Sequence, residues 1–328
     1  MLKKCLFALT ISMAVLLCGC AFEQPSSKPL SQTRLLLDTV CTITVFGTQD
    51  QSMLVEALDL CAEYEAMFSI SVEGSDVWRI NHAGGTPVAV SPQTASLLRL
   101  GVEYGEFSGG KFDITVGRLS TLWDYTGESG VPAEEDIAFA RGTVDFRGIL
   151  VDGNTVQLSD PEAWIDLGAI AKGYIADQLA DFLKTRGVTG AVVELGGDIS
   201  TVGAKPDGSP WRIGVRQPFG GLRDLLGVVE LGESAIVSSG IYERMFEENG
   251  IIYHHILDPG TGMPARTDVV SATLVTDSAV VGDILSTIVI LVGSEAAAEL
   301  LSQAPGFIGM VLALQNGDLL QYGEIGFQ

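Results

Sequence analysis

The chain has few cysteines and little positive charge, and each shortage narrows what it can be. Of its five cysteines, Cys5 and Cys18 lie in an N-terminal apolar stretch and Cys20 stands just past it, which leaves Cys41 and Cys61 for the body of the chain. Two cysteines build neither a disulfide framework nor a cysteine metal cluster. Each sits in an apolar pattern, where a thiol serves as a small core residue, although an exported chain can oxidise such a pair. Lysine and arginine total 19 against 41 aspartates and glutamates, a formal net charge of −22. A surface of that sign repels nucleic acid and finds no electrostatic hold on anionic lipid. What the chain does have is 47% hydrophobic residues and 39 glycines, the composition of a globular domain with many loops and not of a disordered tail. Its length allows one large domain or two intimate ones.

The N-terminus has the form of an export signal. Lys3 and Lys4 precede an apolar run from Leu6 to Leu17, which is too short to span a bilayer comfortably. The run ends in Leu17-Cys18-Gly19-Cys20, which resembles the bacterial lipobox, with Cys20 as the acylated residue. The expectation is a leader over residues 1–19, a lipidated Cys20, and a Pro-, Ser- and Gln-rich tether over residues 20–33. One folded domain then spans residues 34–328. Acyl chains on Cys20 hold it at the extracytoplasmic face of the cell membrane.

Periodicity places the elements. Leu35-Leu36-Leu37 and Val40 to Phe46 read as a strand, and Gln51 to Met67 shows helical apolar spacing. Ser91-Pro92 opens a second helix. Asp152-Gly153-Asn154 is hairpin chemistry between β-like runs over residues 149–158. Gly168 to Lys184 reads as an amphipathic helix. Strand-like stretches follow at Ala191 to Leu195, Trp211 to Val215, Leu226 to Leu231 and Ile251 to Leu257, then helices at Ser278 to Ile290 and Ser294 to Ser302. A closing hairpin turns at Asn316-Gly317. Strand groups with inserted helices predict an α+β fold with mainly antiparallel sheet.

Several segments offer chemistry, each beside a plainer reading. Gly105 to Lys111 matches the start of a phosphate-binding P-loop, but Phe112 stands where Ser or Thr holds a cation. The stretch also ends a helix and runs into the strand-like Phe112 to Val116. Ser108-Gly109-Gly110 remains a backbone site for a ligand, or a helix-ending turn. Asp166 to Gly173 carries a carboxylate into a small-residue turn at a helix start, where free N–H groups and Lys172 suit phosphates. Equally, Asp166 is a cap and Lys172 a solvated side chain. Glu194-Leu195-Gly196-Gly197-Asp198 and Ser238 to Arg244 are turns or sites. His254 and His255 adjoin in a strand, so they face opposite ways and do not share one metal. Only one of them can face a given site, where its near-neutral pKa suits proton transfer; a core or surface histidine is the plainer reading. Asp283 and Thr287 are one helical turn apart, a pair of hard oxygen ligands for Mg²⁺, or an exposed Asp with a back-bonded Thr.

Together, Asp166 to Gly173, Glu194 to Asp198, His254 to Gly262 and Asp283 to Thr287 resemble the ApbE family of FAD:protein FMN transferases in content, order and spacing. Phe112 to Gly117 and Ser239 to Arg244 extend the resemblance, which runs from about Leu37 to the C-terminus. It implies a T-fold-like core and FAD as substrate, with Mg²⁺ held by Asp283, Thr287 and the backbone oxygen near Ala169. It places FAD contacts at Ser108, Gly109, Gly110, Asp166, Lys172, Arg244 and Ile256, and makes His255 the proton acceptor. It also implies acceptor proteins with a Thr or Ser hydroxyl, among them membrane redox subunits. The chain departs at Leu37, where the family often has Met, and near Ser71, where it often has an aromatic residue. FAD hydrolysis to FMN and AMP, and FAD binding without chemistry, are the alternatives.

Overall fold

The computed structural model describes residues 28–328 apart from 127, 129 and 222; the expected leader, Cys20 and residues 21–27 of the expected tether lie outside the described residues. Eight strands form the main sheet, in the order β1 (Leu30–Leu36), β2 (Thr39–Val45), β6 (Gly190–Leu195), β7 (Asp198–Gly203), β10 (Ala235–Gly240), β13 (Val269–Thr276), β14 (Phe307–Leu314) and β15 (Leu319–Gly323). Every adjacent pair is antiparallel. The sheet therefore follows chain order, and everything else is inserted between its strands.

The insertion between β2 and β6 carries α1 (Gln51–Phe68), α2 (Asp76–Asn81), α3 (Pro92–Phe107), α4 (Gly117–Leu122), α5 (Glu134–Gly142) and α6 (Ala171–Thr185), with a small sheet of β3 (Val88–Ala89), β5 (Thr155–Leu158) and β4 (Ile149–Asp152). Strands β8 (Trp211–Arg216) and β9 (Leu225–Leu231) leave between β7 and β10 and pair with β16 (Gly326–Phe327). The two-stranded ribbon of β11 (Met245–Glu248) and β12 (Ile251–His254) leaves between β10 and β13. Helices α7 (Ala279–Val292) and α8 (Ser294–Leu301) return the chain to β14.

Strand alternation divides the sheet between two apolar layers. Val237 and Leu274 face the main core with α1, α6 and α7, while their neighbours Ile236 and Val275 join Trp211, Val215 and Val229 beneath β8 and β9. Strand β13 is consequently buried at every residue. Cys41 on β2 and Cys61 on α1 are both free, buried and in contact in the main core.

The α+β expectation with a mainly antiparallel sheet holds, with local corrections. Strand β1 begins at Leu30, inside the segment expected to be tether, because Ser31 and Thr33 pair side chain to side chain with Thr44 and Thr42. The expected single strand over residues 35–46 is instead the end of β1, a turn and β2; Leu37 and Asp38 in the turn both have positive φ. Phe112 to Val116 is a loop, not a strand, folded around Asp113, whose carboxylate accepts from the Thr115 and Phe146 N–H groups. Helix α6 starts at Ala171, later than Gly168, and β12 stops at His254.

Candidate active site

Three main-core elements bring three charges together. Gly196-Gly197 closes the tight turn between β6 and β7 and delivers Asp198 as the first residue of β7. Gly196 has φ +73°, and a Cβ there meets Thr39 Oγ1 at 2.6 Å, so a side chain is excluded. Helix α6 contributes Lys172 and α7 contributes Asp283. The Lys172 ammonium lies 3.3 Å from Asp198 Oδ2 and 3.6 Å from Asp283 Oδ1. The two carboxylates are 2% and 3% exposed, against 29% for the lysine side chain. Burial and the neighbouring Asp283 push Asp198 well above the usual carboxylate range, and the two carboxylates hold Lys172 in its charged form. With both acids ionised, two carboxylates facing one ammonium would carry a surplus negative charge; the raised Asp198 relieves it here, and a bound cation would offset it instead.

Helices α6 and α7 cross at very short range. A Cβ on Gly173 would stand 2.3 Å from the Ala279 carbonyl oxygen, so glycine is required at the crossing. The Gly173 N–H donates to Asp283 Oδ2 at 3.0 Å, not back along the chain. Among the described residues, the Ala169 carbonyl accepts no hydrogen bond in consequence. Thr287 is half-buried and donates its hydroxyl to the Asp283 carbonyl at 3.2 Å, the back-bonded arrangement weighed above, which leaves lone pairs on Oγ1. Carboxylate, hydroxyl and free carbonyl oxygens are the donor types that Mg²⁺ takes. Among the described residues no group of three or more His, Cys, Asp or Glu is placed to hold a metal ion, so a cation here would rest on one carboxylate together with hydroxyl, carbonyl and substrate oxygens. The residues present therefore fit the ion implied by the sequence.

The adjacent histidines divide as strand geometry requires. His254 is 2% exposed. Its Nε2–H donates to the Ala265 carbonyl at 3.0 Å and its Nδ1 accepts from the Ile256 N–H at 3.3 Å, which fixes the tautomer and a structural role. His255 is half-buried on the other side, with Nδ1 3.4 Å from the Arg244 carbonyl and the ring edge-on to Tyr125 at 6.4 Å. Desolvation first, then the positive field of its neighbours, lowers His255 to about 4. Those neighbours include Arg244 and Lys172, which ties the imidazole to the charge cluster. Glu243 joins it too: its carboxyl is raised by desolvation and also feels Lys172 and Asp283.

Other expected contacts are placed differently. Ser108, Gly109 and Gly110 end α3, with φ +63° and +83° at the two glycines. Their N–H groups already donate to Tyr104, Glu106 and Gly105 carbonyls. The main-chain N–H route to a ligand is therefore closed, although Gly109 and Gly110 line a cleft of about 330 Å³ with Arg147, Pro259 and Gly260. Lys111 joins that cleft to the histidine segment by an ion pair with Asp258 at 3.2 Å. Asp166 caps the turn before α6, accepting from the Gly168 N–H at 2.8 Å. Ile256 is buried, and its N–H and carbonyl bond to His254 and Ala265. The Arg244 side chain is exposed.

Two residues that the sequence left without a role stand in the site or beside it. Asp198 was visible as the acid after Gly196-Gly197, but only the fold sets it against Lys172. Tyr125 gave no signal, yet its hydroxyl is buried without a hydrogen-bond partner among the described residues, beside His255.

The ApbE family model matches residues 37–312. The chain is 33% identical over 296 residues to the FAD:protein FMN transferase of Vibrio cholerae serotype O1, covering 87% of each chain. It is 32% identical over 300 residues to that of Treponema pallidum, covering 85% of this chain and 83% of the other. Among solved structures, the ApbE protein of Thermotoga maritima superposes with a TM-score of 0.81 at 32% identity, covering 90% of this chain and 97% of that one. The flavin transferase ApbE of Vibrio cholerae gives 0.79 at 28% identity, covering 90% and 96%.

Proposed function

This chain belongs to the ApbE family, and on that premise we propose how its site carries out the reaction. It is an FAD:protein FMN transferase that flavinylates target proteins. The observation that carries the finer reading is the placement of Lys172 between Asp198 and Asp283, with His255 in the same field.

Asp283, Thr287 and the Ala169 carbonyl would hold Mg²⁺, with Asp198 beside them. When bound there, the ion neutralises charge on the FAD diphosphate. Lys172 adds a fixed positive charge against the same phosphates and offsets their repulsion of an incoming oxygen. His255 donates through Nδ1–H to the Arg244 carbonyl, which leaves Nε2 as a neutral proton acceptor. A Thr or Ser hydroxyl of the acceptor loses its proton to Nε2 as its oxygen bonds to the FMN-side phosphorus. The bond from that phosphorus to the bridging oxygen breaks, and its electron pair leaves with AMP. The flavin ring does no redox work. Asp166, beside Tyr125, orients the FAD. The acceptors on this reading are membrane redox subunits, and Cys20, acylated after removal of residues 1–19, anchors the enzyme at the extracytoplasmic face to meet them.

The test combines purified protein, FAD, Mg²⁺ and a candidate acceptor, read as flavin fluorescence retained in a denaturing gel and as AMP released. A labelled acceptor with AMP in equal amount supports transfer. AMP without labelled acceptor assigns hydrolysis, and neither product leaves only a binder. For the anchor, mass spectrometry of the mature N-terminus must find acyl chains on Cys20, and a Cys20→Ala variant must leave the membrane fraction.

A further inference from the structure

Asp177 lies on α6 one turn beyond Gly173, on the face that meets α7. Its Oδ1 accepts from the Ala279 N–H at 2.8 Å, and its Oδ2 accepts from the Val280 N–H at 3.0 Å and from the Ser278 hydroxyl at 2.7 Å. These N–H groups belong to the first turn of α7, which has no partners within its own helix. Ser278 occupies the capping position and is a good residue type for it. Even so, it makes no cap of its own and turns its hydroxyl to Asp177. A local cap was at hand and the fold uses a carboxylate from the neighbouring helix, although burial of that carboxylate disfavours its charge. Capping alone does not require this arrangement; fixing one helix against another does.

The same carboxylate reaches a third element. Ser200 on β7 donates to Asp177 Oδ1 at 3.4 Å, and Ser200 shares a strand face with Asp198. Asp177 thus touches all three elements that carry the Lys172, Asp283 and Asp198 cluster: α6 with Lys172, α7 with Asp283 and Thr287, and β7 with Asp198. Together with the Gly173–Asp283 hydrogen bond, it pins the start of α7 at two points one helical turn apart.

We infer that Asp177 is a positioning residue for the cation site, setting the depth at which α7 presents Asp283 and Thr287 to Lys172 and Asp198. The inference rests on the Mg²⁺ reading above. It is tested on the full chain by calorimetric titration with Mg²⁺, by FAD binding in the presence of chelator, and by hydrogen exchange at the Gly173 amide. Asp177→Asn, which keeps an acceptor oxygen and removes the charge, is expected to weaken Mg²⁺ binding at least about 10-fold. Metal-free FAD binding is expected to change less than about twofold, and the Gly173 amide to exchange faster. Ser278→Ala, a milder loss that keeps the carboxylate, should move both quantities the same way and decides the matter if Asp177→Asn does not fold. A lower melting temperature with unchanged Mg²⁺ affinity and unchanged Gly173 exchange overturns the inference and leaves Asp177 as a structural cap. If the unaltered protein binds no Mg²⁺, the ion assignment fails by itself. The Gly173 exchange then still decides whether Asp177 sets the helix spacing: acceleration in the variants supports it and no change overturns it.

Discussion

Gly173 gives its backbone N–H to the carboxylate of Asp283, and in doing so lets two helices touch where any side chain would force them apart. Gly173→Ala inserts a Cβ 2.3 Å from the Ala279 carbonyl oxygen, which is backbone and cannot swing away. The expected cost is about 1–3 kcal/mol of stability or more, with FMN transfer falling further than folded protein does. Denaturant melts beside a transfer assay measure both; unchanged transfer would show that the close crossing is not needed.

Asp283→Asn keeps the shape of the side chain and removes the charge that faces Lys172. Transfer should fall by roughly 100-fold or more, and added Mg²⁺ should no longer raise the melting temperature. A variant that still responds to Mg²⁺ with full activity places the ion elsewhere.

His255 is lowered to about 4, so it is already neutral and able to accept a proton at pH 6. The rate should stay level from pH 7 down to about 5 and fall below that, where an unperturbed imidazole would cut it near 6.5. His255→Ala should abolish the dependence together with most of the activity. A limb centred at 6.5 contradicts the half-buried, neutral imidazole.

His254 is lowered to about 4 as well, chiefly by desolvation. A histidine with a depressed folded pKa takes up its proton first in the unfolded chain, so its contribution is intact above about 6.5 and is lost as the pH falls towards 4. On the order of 3 kcal/mol rides on this window. His254→Gln should therefore flatten the fall in stability between pH 6.5 and 4, as measured by urea melts across that range.

Tyr125 seals its hydroxyl away from water without a partner among the described residues. Removing such a group relieves a desolvation cost, so Tyr125→Phe should melt at the same temperature or up to about 3 °C higher. A clear drop in calorimetry would mean that the hydroxyl is bonded after all.

The sequence disclosed the parts of the site that travel as contiguous segments. Helical spacing put Asp283 and Thr287 on one face, and strand spacing separated His254 from His255; the choice of His255 and of a ligand role for Lys172 came only from the family resemblance. The hairpins at Gly153 and Asn316-Gly317 were legible for the same local reason. Strands β7, β10, β11 and β13 were not. Val269–Thr276 is buried on both faces, so it shows no alternation, and Ser238 and Ser239 look like loop residues until Thr273 and Ser286 hydroxyls are found opposite them. At Ser108-Gly109-Gly110 the sequence left a ligand site and a helix-ending turn open, and only the hydrogen-bond pattern reveals that the N–H groups are spent on ending a helix. Asp177 is one acid in an amphipathic helix, and nothing local separates it from Asp181, which is exposed.

The pair Cys41 and Cys61 sits between the sheet and its first helix, both at 0% exposure. A thiol-specific dye in the medium therefore cannot reach either sulfur unless α1 lifts from β2, so the labelling rate clocks that opening event directly. With Cys5, Cys18 and Cys20, which lie outside the described residues, replaced by alanine, the clock runs without background, and its slowing on addition of FAD would report how far bound substrate steadies this layer.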